Sequence, residues 1–161
     1  MKRRIVACSL ALALIVGMVF SVSAAQTVPA SGEFEVDIDP DDINLTPLGA
    51  NCVLQVEGDV SFTGDLTGDA TAQTTALVFA PCDVVAGSPP GSVRDVFSST
   101  MEFSGTLNGD PVEAGIHYHG RVEEGGQLSG IMNFFGVLRG AVQVDGQAGV
   151  DGSYSGTIVL K

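Results

Sequence analysis

Phe62-Thr63-Gly64-Asp65-Leu66-Thr67-Gly68 and Phe103-Ser104-Gly105-Thr106-Leu107-Asn108-Gly109 are two copies of one pattern, F-x-G-x-L-x-G. In each copy the aromatic residue, the first glycine and the leucine share one phase of a two-residue period, and polar residues fill the other. Side chains alternate across a strand, so this spacing writes a half-buried β-strand, and the closing glycine marks a turn.

The alternation runs outward from both copies. Upstream of Phe62, Cys52, Leu54, Val56, Gly58 and Val60 hold the apolar phase against Gln55, Glu57, Asp59 and Ser61, which predicts a long strand or two joined at a bend near Gly58. Thr67-Gly68-Asp69 then reads as a turn. Residues 70–80 are strand-like but poorly phased, because Ala76 and Val78 compete with Leu77 and Phe79. Residues 81–91, rich in proline and glycine, are predicted to be irregular. Phe97, Ser99, Met101, Phe103, Gly105 and Leu107 share a face of the next strand, and Asn108-Gly109-Asp110-Pro111 turns it. Ile116, Tyr118, Gly120 and Val122 give another strand. Leu128 to Val144 continues the phase with a break at residues 136–140, and Tyr154, Gly156, Ile158 and Leu160 close the chain. Before all of these, Ser31 to Ile38 reads as the first strand, preceded by a linker (residues 26–30) and followed by a loop (residues 39–49).

About eight strands joined by short turns, with 21 glycines and no long helix-forming run, make an all-β protein, best read as an antiparallel up-and-down β-barrel. A β-sandwich or cupin-like jelly roll is the runner-up. The glycines favour the barrel: Gly58, Gly64, Gly105, Gly120, Gly130, Gly140 and Gly156 all stand in the apolar phase. A flat sheet would lose packing there, whereas a small closed barrel needs the coiling and the room.

Basic Met1-Lys2-Arg3-Arg4, an apolar run over residues 5–20 and small Ser21-Val22-Ser23-Ala24-Ala25 are the three regions of a secretory signal peptide, with cleavage after Ala24 or Ala25. The run is shorter than the roughly twenty residues of a membrane-spanning helix. Cys8 precedes most of it, so lipid attachment there would leave no signal core. The expected organisation is a leader over residues 1–25 and a single β-barrel domain over 26–161, secreted or periplasmic. Loss of Lys2, Arg3 and Arg4 leaves four basic residues against 19 acidic ones, a net charge near −15. That charge repels phosphate, which argues against nucleic acid and anionic membrane surfaces as partners. Cys52 and Cys82 are then the only cysteines, and in an exported chain they pair as a disulfide. The close CxxC spacing of a structural zinc site is absent.

Gly32-Glu33-Phe34-Glu35-Val36, the two F-x-G-x-L-x-G stretches and Gly136-Val137-Leu138-Arg139-Gly140 together resemble the small bacterial domains of unknown function that share the allene oxide cyclase-like β-barrel. The resemblance implies an eight-stranded antiparallel barrel with an apolar cavity and brings no activity with it. The plant cyclases that name the fold use polar groups inside the barrel, a carboxylate among them. Here Glu33, Glu35, Glu57, Asp59, Glu102, Glu113 and Glu123 all fall in the outward phase, so the sequence supplies no inner acid or base for cyclase-like or isomerase-like chemistry.

The inward phase instead supplies a candidate ligand lining: Leu54, Val56, Phe62, Met101, Phe103, Tyr118, Met132, Phe134 and Tyr154, apolar with two hydroxyl tips. No catalytic residue is assigned. The alternative class is a metal-dependent, cupin-like enzyme. His117-x-His119 puts two imidazoles on one strand face and Glu123 shares their parity, a two-His, one-carboxylate set for a divalent metal ion. The spacing from His117 to Gly130 resembles the first cupin motif, with Pro111 where a glycine is expected upstream and no third histidine for the second motif. Arg121 lies on the same face as a competing partner for Glu123. Asp37-Ile38-Asp39-Pro40-Asp41-Asp42 opens like a calcium loop, but Asp42 replaces the glycine and Leu48 stands where the bidentate glutamate belongs. The expectation is therefore a secreted, non-catalytic β-barrel that needs no cofactor and either holds a small apolar ligand or serves as a structural module. Oligomeric state is not written in the sequence.

Overall fold

A computed structural model describes residues 25–160 of the chain. The basic and apolar parts of the leader lie outside those residues. The described part is nearly all strand: β1 (Gln26–Asp37), β2 (Asn44–Leu48), β3 (Asn51–Gly64), β4 (Leu66–Val78), a short helix α1 (Cys82–Ala86), then β5 (Asp95–Leu107), β6 (Asp110–Val122), β7 (Gln127–Gly136), β8 (Leu138–Gln147) and β9 (Asp151–Leu160). Eight strands form one closed antiparallel barrel in the order β1-β9-β8-β7-β6-β5-β4-β3, with β3 pairing back to β1. From β3 to β9 each strand pairs with its predecessor, the up-and-down arrangement expected from the short turns. A sandwich or jelly roll would split these strands into two sheets; here the ladder closes.

The two motif copies fold differently. In the second, β5 runs to Leu107 and turns at Asn108-Gly109, whose φ angles of 53° and 90° are those of the tight hairpin turn that Asn-Gly favours. In the first, the turn comes earlier: Gly64 (φ 99°) ends β3, Asp65 bends, and Leu66 opens β4. Thr67-Gly68-Asp69 is therefore strand, not turn. Asp65 is what fixes the early bend. Its Oδ2 accepts Ser31 N–H at 2.8 Å and Ser31 Oγ at 3.1 Å, while its backbone N–H donates to the Ser31 carbonyl at 2.9 Å. Thr106 holds the equivalent place in the second copy and has no such side-chain acid. The early bend also settles the phase of β4. Leu66 is fully buried, and the two-residue period carried from it puts Ala70, Ala72, Ala76 and Val78 inside and leaves Phe79 exposed.

The first strand begins earlier than expected. Residues 26–30, read as a linker, are paired along β9 from Gln26↔Leu160 onward, because a barrel closes only if its first strand bonds its last. At its other end β1 leaves β3 after Asp37↔Asp59, and β2 resumes pairing in the same direction at Asn44↔Gln55. β2 thus continues β1 along β3, and the residues between, including a 3-10 turn at Pro40–Asp42, bulge out of the wall. Pro47 is tolerated because β2 is an edge strand, where a missing N–H costs nothing.

One end of the barrel is sealed by hairpins and packed solid. Phe62 sits 5.5 Å from Phe103 and 5.9 Å from Tyr154, ring centre to ring centre, among Leu66, Leu107, Ile116, Met132, Phe134, Leu138 and Ile158. The Tyr154 hydroxyl accepts Leu66 N–H at 2.9 Å and donates to the Thr63 carbonyl at 2.9 Å, tying β9 to the first hairpin from inside. The other end is covered by α1 and the chain that follows it. Cys52 on β3 and Cys82 at the start of α1 are disulfide-bonded with Cα atoms 4.9 Å apart. A second, smaller apolar cluster of Cys52, Ala76 and Val78, with Leu45, Leu54, Val85 and Val93 against it, seats this cap.

Candidate functional site

Between the solid half and the cap lies a cavity of about 520 Å³. Its floor is Phe34, Val60, Ala72 and Met101, and its sides are Leu54, Val56, Ala76, Val78, Val122 and Leu128. Ile38, Pro40, Ile43 and Leu45 wall it where β1 bulges into β2, and Val85, Pro89, Pro90 and Val93 roof it. β4 turns alanines inward here, Ala72 beside Gly58 and Met101 and Ala76 beside Leu54 and Phe97, which leaves room inside the wall. The roof is fitted closely to the opposite rim: a side chain on Gly91 would meet the Gly126 backbone at 2.5 Å and Ala148 at 3.2 Å, and one on Gly149 would meet Pro90.

Two apolar-phase glycines shape the far wall. A Cβ on Gly120 would lie 2.5 Å from the Phe97 ring, and one on Gly130 would lie 2.7 Å from the Tyr118 ring and 2.5 Å from the His119 carbonyl. These glycines therefore let aromatic rings lie flat on the sheet. Phe97 and Tyr118 meet edge to face, 4.9 Å between ring centres.

Six polar side chains belong to this region, and two of them, Ser88 and Gln147, donate to the Val84 and Gly125 carbonyls at 2.8 and 3.3 Å. Thr74, on the wall, and Ser99, buried, satisfy one another, with Thr74 Oγ1 donating to Ser99 Oγ at 2.9 Å. The other two are unsatisfied. Tyr118 is 5% exposed and its hydroxyl is buried without a hydrogen-bond partner. Burial, with the Asp145 carboxylate adding to it, raises its phenol well above the ordinary range, so it stays a neutral donor. Asp95 opens β5 directly opposite Val78 and Val122, and its Oδ1 is likewise buried without a partner. Desolvation pushes its carboxyl from the ordinary 3.8 up to about 6.

Asp95 corrects the sequence reading that no acid faces the interior. The seven acidic residues named there are exposed, as expected. But β5 begins two residues before Phe97, and Asp95 shares the parity of Phe97, Ser99 and Met101. Extending the period by one step upstream would have found it; the adjacent Arg94 and the glycine-proline run before it disguised the strand start.

Of the nine expected lining residues, Leu54, Val56, Met101 and Tyr118 border the cavity. Phe62, Phe103, Met132, Phe134 and Tyr154 are buried in the solid half and lie outside the lining. All nine share the inward phase, but phase distinguishes inside from outside and not one end of the barrel from the other. His117 and His119 project from the outer face of β6, their rings 6.4 Å apart, and His117 stacks on Phe135 at 4.6 Å. Arg121 Nε pairs with Glu123 Oε1 at 3.3 Å. Among the described residues no three His, Cys, Asp or Glu side chains are grouped closely enough to hold a metal ion. The acidic run folds around the 3-10 turn, where Asp39 Oδ1 accepts Asp41 N–H at 2.9 Å as its cap.

No helix among the described residues is long and apolar enough to cross a membrane. No family model matches the chain, and no curated protein matches its sequence.

Proposed function

We propose that the protein is an exported β-barrel of the allene oxide cyclase-like kind that binds a small, largely apolar ligand in its capped cavity. The observation that carries this is the cavity itself: about 520 Å³, apolar on nearly every side, with two buried polar atoms lacking partners. Small-molecule sites have this size and makeup, a hydrophobic lining with a few placed polar groups. Export is supported by the signal-peptide pattern and by the Cys52–Cys82 disulfide, which persists in oxidising compartments. The acidic surface suits a soluble carrier or binding module outside the cytoplasm.

Titration of the exported protein with Nile red, an apolar fluorophore, tests the reading. Saturable binding is expected, and Ala72→Phe, which fills the floor, is expected to remove it while the far-ultraviolet circular dichroism stays that of the barrel. Absence of saturable binding, or equal binding by the filled variant, would overturn it.

A second reading, an isomerase-like or cyclase-like enzyme, draws on Asp95. A desolvated carboxyl that titrates at about 6 beside an apolar cavity is the kind of group that moves protons near neutral pH. Binding is preferred because the Asp95 carboxyl has no hydrogen-bonded orienting partner, as a committed general base usually does.

A further inference from the structure

We propose that the ligand is a cationic amphiphile, an apolar body carrying a protonated amine, whose ammonium group pairs with Asp95 under the cap and whose far end reaches Tyr118. This rests on the binding function proposed above and names its ligand class.

Charge decides between head groups. Among the described residues, Asp95 and Tyr118 are the only titratable side chains that line the cavity. Asp95 stands opposite Val78 of β4 and Val122 of β6, and the rest of the cavity lining, with Ala76, Leu128, Pro89, Pro90, Val93 and Gln147 among it, brings no cation to it. Arg94, its chain neighbour, faces outward with its guanidinium 4.8 Å over the Phe79 ring. Arg121 is exposed and paired to Glu123. A fatty acid would therefore set a second carboxylate near Asp95 with nothing to neutralise either, and like charges in a desolvated site repel strongly. A neutral alcohol would satisfy Asp95 Oδ1 but leave the ionised carboxylate without a counter-charge. An ammonium does both, through charge-assisted hydrogen bonds.

The second orphan fixes the ligand's reach. Tyr118 pairs with Ser99, four residues along β5 from Asp95, so the two anchoring positions are about 13 Å apart at the backbone, with the Phe97 ring between them. Tyr118 is a neutral donor, and the group it meets is an acceptor such as an ether, ester or carbonyl oxygen. The acidic surface adds long-range attraction for a cation and repulsion for an anion.

The test compares dodecylamine, dodecanol and dodecanoate, three chains of one length with different heads, as competitors of Nile red on the exported protein. At neutral pH dodecylamine is expected to bind roughly tenfold tighter than dodecanol, the scale of one charge-assisted hydrogen bond, and dodecanoate weakest. Asp95→Asn is expected to erase the amine's advantage over dodecanol. Below the Asp95 value of about 6 the amine's advantage should shrink in the wild-type protein, because the carboxyl is then protonated. Dodecanoate binding as well as dodecylamine, or an amine advantage that survives Asp95→Asn, would overturn the proposal while leaving an apolar binding site standing. Failure of Nile red and all three competitors to bind would overturn both.

Discussion

Asp95→Asn carries a stability prediction that needs no ligand. In the unfolded chain this carboxyl titrates at its ordinary 3.8, and in the fold burial lifts it to about 6. Below the lower value it is protonated in both states and costs the fold nothing through charge. Above the upper value it is ionised in both, but in the fold its Oδ1 is out of water and unpartnered. Between them the folded state holds a proton that the unfolded state has released, so the Asp95 contribution to stability falls as pH rises from about 4 to about 6. A shift of two units corresponds to about 3 kcal/mol. Asp95 is only partly buried as a residue, so solvent screening reduces this to about 1 to 2 kcal/mol. Urea unfolding of wild type and Asp95→Asn across that range measures it. The asparagine amide has its own burial cost, but that cost does not change with pH, so the informative quantity is the difference between the two proteins as a function of pH. It should move in favour of asparagine by about 1 to 2 kcal/mol from pH ~4 to pH ~7.5. A difference that is flat with pH, or that moves the other way, would mean the carboxyl is solvated in the fold and the desolvation argument is wrong.

The two tyrosines should separate cleanly in the same assay. Tyr154→Phe strands the Leu66 N–H and should cost about 1 to 3 kcal/mol, whereas Tyr118→Phe removes a hydroxyl with no partner and should be neutral or mildly stabilising. Equal losses would show that Tyr118 has a partner in solution. Removing the disulfide as Cys52→Ala with Cys82→Ala should lower stability by about 3 to 4 kcal/mol, from the 30-residue separation it spans, with no change in strand content by circular dichroism. Gly130→Ala pushes a methyl into the His119 carbonyl and the Tyr118 ring and should cost about 1 to 3 kcal/mol, read as a lowered Tm. A thermal transition identical to wild type would mean that Tyr118 does not lie flat on the sheet.

The inward face of each strand was legible because it follows from a strictly local rule, and closure was legible only through the glycines on that face. Along β3, β7 and β9 every second residue is apolar or glycine, β5 departs from this only at Asp95 and Ser99, and that period says which side chains go inside, from Cys52 to Ile158. It also correctly put the seven acidic strand residues and both histidines on the outside. Where it failed, the deciding interaction was between strands. Leu66 belongs to β4 and not to the end of β3 because Asp65 is held by Ser31, 34 residues upstream. Residues 26–30 are strand because Leu160 and its neighbours need partners.

The candidate site divides the same way. Residue types and periodicity determined an apolar interior, a pair of cysteines and two inward hydroxyls, since each depends only on side-chain chemistry and strand parity. Where that interior is empty was decided by the tertiary structure alone. Phe62, Phe103 and Tyr154 converge because the hairpins seal their end of the barrel, while β4 presents Ala72 and Ala76 at the other end and the disulfide seats a roof above them. The orphaned oxygens of Asp95 and Tyr118 exist only in that assembled space. Whether a buried polar group finds a partner depends on every strand around it, and no one-dimensional pattern records that.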